Sequence, residues 1–167
     1  MELWDLYDEK RNLTGIIHER GKEIPGGLCH LVVHIWIRNK EGKFLISRRS
    51  KERKSYPLFL ECQGGSVLQG ETSKDGAIRE TKEEVGIDLS NIEGKIIFTK
   101  TRIKFHDIMD VWLFEYDGDV DLSRATTKEV CETTWLTYDE IKEKFDSKEL
   151  VPTLDYFFEI EKEKLYE

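Results

Sequence analysis

Apolar residues near the start of the chain gather in two short runs. Leu3, Trp4, Leu6 and Tyr7 form the first, and Thr14, Ile16 and Ile17 the second. The polar residues 8–12 between them read as a turn, so the pattern predicts a strand pair. Ile24-Pro25-Gly26-Gly27 closes this piece as a loop. Residues 1–27 are therefore expected to form a strand-pair extension and residues 28–167 the main domain. Residues 29–38 follow, rich in Val and Ile and apolar on both faces over 31–37, as a strand covered on both sides would be. Asn39-Lys40-Glu41-Gly42 reads as a turn into a strand over 43–49, and a basic loop then leads to Tyr56-Pro57.

Further along, the apolar period changes. Ala77, Ile78, Thr81 and Val85 recur at helical spacing and predict an inward face. Thr72 or Ser73 can cap this helix, Thr72 with Asp75 resembles a capping box, and Gly86 suits its left-handed close. Two strands are expected over 96–105 and 108–116, and a shorter one at Trp135-Leu136. A helix is expected from Thr137 or Asp139 through Phe145. A last helix, opened by Pro152, carries Leu154, Phe157, Phe158, Ile160 and, near its end, Leu165. Strands, hairpins and helices mixed in this order predict an α+β fold, a mixed sheet with helices on both sides.

The predicted helix carries Glu80, Glu83 and Glu84, three and four residues apart and largely on another face than the apolar one. Carboxylates so spaced share a face and repel, which weakens a helix unless a cation sits over them. Oxygen ligands in that number suit Mg²⁺ or a similar divalent ion, which commonly handles phosphates. A run of acidic helix residues is, on its own, ordinarily a solvated face. The glycine-bearing loop before the helix, its cap and its spacing change that reading, because such a loop lets backbone approach metal or phosphate closely.

Gly65 is followed by five residues and Glu71, then seven residues and Arg79-Glu80, then Thr81-Lys82-Glu83-Glu84-Val85-Gly86-Ile87. This segment resembles the signature box of the Nudix hydrolase superfamily at every fixed position, with Thr81 standing where an aliphatic residue is preferred. The resemblance implies a Nudix-type α/β/α sandwich and cleavage of a pyrophosphate bond in a small nucleoside diphosphate derivative. It implies Mg²⁺, with Mn²⁺ as a substitute, held by Glu80, Glu83, Glu84 and a backbone carbonyl near Gly64 or Gly65. One of the glutamates would serve as base. Arg79 can pair with Glu83 one turn on, and Glu71 can orient Arg79 or a metal-bound water.

WDLYD near the N-terminus, Thr14-Gly15, His30 and the Arg49, Arg53, Pro57 spacing resemble the branch related to isopentenyl diphosphate isomerases. There Arg49 and Arg53 match positions that hold the diphosphate, against the competing reading of an exposed basic loop. The isomerase's Cys-Gly-His-Pro run is replaced by Gly64 to Val67, so its cysteine and metal-binding histidine are absent. His18 and His30 echo two further histidine ligands or serve structure. A non-catalytic nucleotide-binding module is the third reading, and the intact glutamate set argues against it.

Glu129, six residues before Trp135, is a candidate additional base or ligand, with Glu132 as its rival. Lys100, Arg102 and Lys104 alternate along a predicted strand and would share one face, open to phosphate or to solvent. Trp36, Trp112 and Trp135 could stack on a base, although core positions suit most of the aromatics.

The net charge of −8 argues against non-specific binding to nucleic acid or anionic membrane. No apolar run is long enough to span a bilayer, and the acidic, aromatic N-terminus does not read as a targeting segment. Cys29, Cys62 and Cys131 are scattered and odd in number, which fits a reduced, cytoplasmic setting. The N-terminal strands offer an edge through which two copies could pair.

Overall fold

The structure, a computed structural model, describes residues 1–167. Nine strands and three α-helices follow the order β1 (Leu3–Asp8), β2 (Leu13–Glu19), β3 (Leu28–Arg38), β4 (Phe44–Arg49), β5 (Leu60–Glu61), β6 (Gln63–Ser66), α1 (Ser73–Val85), β7 (Gly94–Arg102), β8 (Asp107–Glu115), β9 (Val130–Leu136), α2 (Tyr138–Asp146) and α3 (Lys162–Tyr166).

The apolar run predicted as a doubly covered strand is the hub. β3 pairs antiparallel with β1, β4 and β6, and parallel with β8 along nearly its whole length. β7 pairs with β8, and β9 with β4. The side chains of β3 alternate between two cores. Leu31, Val33, Ile35 and Ile37 pack on one side with Ala77 and Val85 of α1. Trp36 packs on the other with Ile141 of α2, Leu165 of α3 and Phe157. The outcome is the expected mixed sheet with helices on both faces.

The N-terminal pair forms as expected, with β1 bridging β2 and β3. Arg11 in its turn makes two 2.7 Å bonds to Asp110 of β8. The outer strand β2 leaves Leu13, Ile16 and Ile17 exposed.

α1 begins and ends where the sequence places its signals. Thr72 and Asp75 form the reciprocal capping box, and Gly86 takes φ 75°. Such a cap contributes about 1 kcal/mol. Its position matters more than that energy, because it fixes where each glutamate of the helix points.

Four local expectations are corrected. Residues 103–105 are a 3₁₀ turn closed by left-handed His106, so β7 stops at Arg102 and Lys104 leaves the face shared by Lys100 and Arg102. The strand at Trp135 is longer than expected and starts at Val130. Gly64 and Gly65, expected in a loop before the helix, lie in β6, a strand laid against β3. The last helix is split: Pro152–Glu159 is a 3₁₀ run, Ile160 is extended, and α3 follows. Leu154, Phe157 and Ile160 are all buried. Their spacing of three matches the 3₁₀ repeat better than 3.6, so packing selects the tighter helix.

Candidate active site

Arg79, midway along α1, collects three carboxylates. Its Nε and Nη2 donate to Glu71 at 2.8 and 3.0 Å, and its Nη1 to Glu80 at 3.0 Å and Glu83 at 3.2 Å. Nη2 also reaches the Ser66 carbonyl of β6 at 2.8 Å, which ties helix to strand. Glu71 in turn accepts the Leu68 backbone N–H at 2.7 Å, fixing the loop between β6 and α1.

Glu80 lies directly over Gly65. A Cβ at residue 65 would fall 2.6 Å from Oε2 and closer still to the rest of the carboxylate. Burial pushes Glu80 up to about 7, against the pull of the Arg79 charge. Glu83 is the most exposed of the three, and its backbone carbonyl accepts the N–H groups of Thr126 and Thr127 at 2.9 and 3.1 Å. That contact brings the loop before β9, with Glu129, to the end of α1.

Glu84 overturns the expectation that the glutamates avoid the packing side of the helix. It is 5% exposed, and its Oε2 has no hydrogen-bond partner. Burial pushes its pKa well above the carboxylate range, with Glu61, Glu80 and Glu129 adding repulsion. An orphaned carboxylate oxygen in the interior is costly unless a proton or a cation meets it. No three acidic, histidine or cysteine side chains in the chain close around a common point here. Arg79 meanwhile occupies Glu80 and Glu83.

Two adjoining hollows flank these residues. The outer, about 310 Å³, is bordered by Arg53, Gly65, Arg79, Glu80, Glu83 and Glu129. The inner, about 170 Å³, is bordered by His34, Arg49, Arg53, Glu61, Gly64 and Glu84. Arg53 and Gly64 border both. Arg53 pairs with Glu129. Glu132 is drawn off to Arg48. Arg49 is buried, donating to both Glu61 oxygens at 2.8 and 2.9 Å and to the Ser55 carbonyl. It is therefore not an exposed loop residue but a tie inside the site.

Glu61 escaped the reading of the sequence. It faces Arg49, Arg53 and Glu129, and burial raises its pKa against the Arg49 charge. A lone charge between apolar Leu60 and Cys62 was the available signal. His34, a polar residue inside an apolar strand, carried a similar one.

Other candidates lie elsewhere. The His30 ring stacks on Trp4 at 3.9 Å, and His18 packs on the same indole while its Nε2 contacts the Lys22 carbonyl. Trp4 stands on β1, between the strands that carry the two histidines. Trp36 and Trp112 are buried, and Trp135 packs against the core on the α1 side. Cys62 is buried, and Cys131 is exposed. No helix is long and apolar enough to cross a membrane.

A capped helix laid against a glycine strand, with acidic side chains turned into a cleft, defines the class of the site. The NUDIX domain family model matches residues 28–157. An uncharacterised Nudix hydrolase of Listeria innocua is 37% identical over 164 residues, covering 95% of this chain and 91% of the relative. The isopentenyl-diphosphate Delta-isomerase of Citrobacter koseri is 31% identical over 88 residues, 52% of this chain and 49% of that enzyme. A Deinococcus radiodurans crystal structure superposes with TM-score 0.73 at 22% identity, over 90% of this chain and 92% of that one. The MutT protein of Methanosarcina mazei superposes with TM-score 0.57 at 25% identity, over 78% of this chain and 90% of that one. The chain belongs to the Nudix hydrolase family, and the isomerase likeness is confined to about half of it.

Proposed function

We propose that this protein is a Mg²⁺-dependent hydrolase that cleaves a pyrophosphate bond in a nucleoside diphosphate joined to another group. The observation that carries the reading is the buried, unpartnered Oε2 of Glu84, beside Glu80 and the Gly64-Gly65 strand. This donor set fits a hard divalent cation: several carboxylate oxygens, a glycine backbone without side chains, and an interior oxygen lacking a partner. Glu80, Glu83, Glu84 and the Gly65 carbonyl would hold it, with Mn²⁺ an acceptable substitute. When bound, such an ion neutralises diphosphate charge and lowers the pKa of a water.

The remaining roles belong to the chain. Arg79 restrains Glu80 and Glu83, which would be the groups to hold a cation, while Glu71 and the Ser66 carbonyl give Arg79 partners of its own. Arg53 borders both hollows and offers its charge to phosphate. Arg49, spent on Glu61 and Ser55, shapes the phosphate site from behind. Glu129, paired with half-buried Arg53, would serve as base or further ligand.

The isomerase alternative meets a local obstacle. A Cβ at residue 64 would lie 2.7 Å from the Val33 carbonyl oxygen, so this backbone is built for glycine where the isomerase carries cysteine. The unpaired edge of β2 and its exposed Leu13, Ile16 and Ile17 would be the surface for pairing two copies.

A Mg²⁺-dependent screen of nucleoside triphosphates, nucleotide sugars, ADP-ribose, dinucleotides and CoA tests the reading, with Glu83→Gln as control. Turnover lost in the variant with the melting temperature kept is the expected result. Equal turnover in the variant on every substrate would overturn it. A rearranged diphosphate as product would favour the isomerase reading, and binding without turnover a regulatory module.

A further inference from the structure

Among the polar side chains that border the inner hollow, His34 is left unused by the proposed chemistry. His34 projects from the middle of β3, on the face shared with Trp36, and borders the space beside Glu61, Gly64 and Glu84. Its Nδ1 lies 2.7 Å from the Tyr156 hydroxyl. The same hydroxyl oxygen accepts the Trp36 indole N–H at 3.0 Å.

Those two contacts favour one position for the imidazole proton. An indole nitrogen only donates, so the Tyr156 oxygen accepts from Trp36 and has its own hydrogen to give. Two neighbours compete for it: Nδ1 of His34, a strong acceptor, and Cys62, whose sulfur is a weak one. The hydroxyl therefore donates to Nδ1. A neutral ring with Nδ1 accepting carries its single hydrogen on Nε2. Burial keeps the ring uncharged, with its pKa lowered to about 3. The Cδ2 corner, next to Nε2, lies 3.1 Å from where a Cβ of Gly64 would stand, so the N–H edge turns toward the glycine strand and the hollow.

Beyond the Thr153 hydroxyl, the hollow is short of such donors. Arg49 is committed to Glu61 and Ser55, and the Gln63 amide nitrogen to Ser47 at 2.7 Å. Arg53 alone among the cations bordering it has its charge directed outward, to Glu129. Glu61 and Glu84 bring no positive charge to it. An anionic guest entering there needs hydrogen-bond donors.

We propose that His34 is a substrate-binding residue, a neutral donor whose Nε2–H, fixed by Tyr156, bonds a phosphoryl oxygen of the bound diphosphate. This rests on the reading of the protein as a pyrophosphohydrolase.

The test combines a proton count with kinetics on the full chain. In ¹⁵N-histidine-labelled protein, long-range proton–nitrogen correlation at pH 7 should show His34 protonated on Nε2 only, and Tyr156→Phe should weaken that preference. Methylene diphosphonate with Mg²⁺ should shift the Nε2 signal. His34→Leu should lower kcat/KM about 10- to 100-fold, the span of a hydrogen bond to a charged group. His34→Gln, which retains an N–H donor, should recover most of that loss. A merely structural histidine would instead lower the melting temperature in both variants alike and leave kcat/KM of the folded fraction unchanged.

A proton on Nδ1, or loss of the Nε2 proton when Mg²⁺ is added, overturns the donor role, as does wild-type kcat/KM in His34→Leu. Should the wild type turn over none of the substrates yet bind the diphosphonate through His34, the hydrolase reading fails and the donor stands. No shift with diphosphonate in an enzyme that does turn over removes the donor alone. No binding and no turnover removes both.

Discussion

The Glu80 carboxylate occupies the space that any side chain at residue 65 would need. Gly65 sits in an ordinary strand, without positive φ, so its lack of a side chain is required by contact rather than by backbone conformation. Gly65→Ala should therefore displace Glu80 while barely altering the strand. We expect activity to fall at least 100-fold, with the melting temperature lowered by only a few degrees. Steady-state kinetics alongside calorimetry checks this. Near-normal kcat in Gly65→Ala would mean that Glu80 does not need its present seat.

Glu80 and Glu84 give the metal-free protein a pH dependence of definite sign. Burial raises both, Glu80 to about 7 and Glu84 well above the carboxylate range. Above about pH 4.5 the unfolded chain releases these protons while the folded chain keeps them, so the native state binds more protons and stability falls as pH rises. Glu80 alone accounts for up to about 3 kcal/mol between pH 4.5 and 8. Glu80→Gln and Glu84→Gln should each flatten the decline, measured as melting temperature in chelator. Mg²⁺ should stabilise the wild type most at the high end of that range, where the carboxylates give up protons most readily. A metal-free protein equally stable at pH 5 and pH 8 would contradict this.

The helix caps, the hub strand and the carboxylate spacing were legible because each depends on residues close together in the sequence. Thr72 with Asp75 and Gly86 are local signals, and the apolar stretch of β3 shows its own burial. Glu61 and His34 were not legible as site residues, because only tertiary pairing brings β3, β5 and the end of α1 together. The burial of Glu84 is not legible for a related reason. Helical periodicity gives a residue's angle about the axis, but not how far the neighbouring strand reaches around it. The C-terminal 3₁₀ run was hidden by its composition, since Leu154, Phe157 and Ile160 fit either helix until Trp36 stacks on Phe157 at 3.9 Å.

Arg49 and Arg53 looked equivalent along the chain and should behave oppositely when removed. Arg49 is buried on half-buried Glu61, so Arg49→Ala strands a carboxylate inside the protein and should cost about 3–5 kcal/mol of stability. Arg49→Ala with Glu61→Leu should regain much of that. The Arg53–Glu129 pair is far more open, and Arg53→Ala should cost less than about 1 kcal/mol. Its effect should appear in KM for the diphosphate substrate, raised roughly tenfold, which corresponds to about 1.4 kcal/mol of binding. Urea unfolding and kinetics on the same variants separate the two. An unfolding midpoint unchanged by Arg49→Ala would refute its structural part.

Arg11 holds the N-terminal hairpin to the sheet through fully buried Asp110, which also accepts bonds from Ser73 at 2.6 Å and Thr99 at 3.1 Å. Ser73 lies in the first turn of α1, so one carboxylate joins the hairpin, β7, β8 and the helix that bears the glutamates. Burial pushes Asp110 up, but the bonds from Arg11 and Ser73 outweigh it and hold its pKa below the usual value. A lowered carboxyl pKa contributes stability above the unfolded value near 4, and that stability is lost as pH falls through the lower folded value. Arg11→Ala should therefore destabilise by about 1–3 kcal/mol at pH 7, less than a wholly buried pair because Ser73 and Thr99 remain as partners. The difference between variant and wild type should shrink toward pH 3. Hydrogen exchange should quicken in β1, β2 and the first turn of α1 while the centre of β3 stays protected. Loss confined to the hairpin would show that Ser73 and Thr99 hold Asp110 unaided, and that the extension does not brace the catalytic helix.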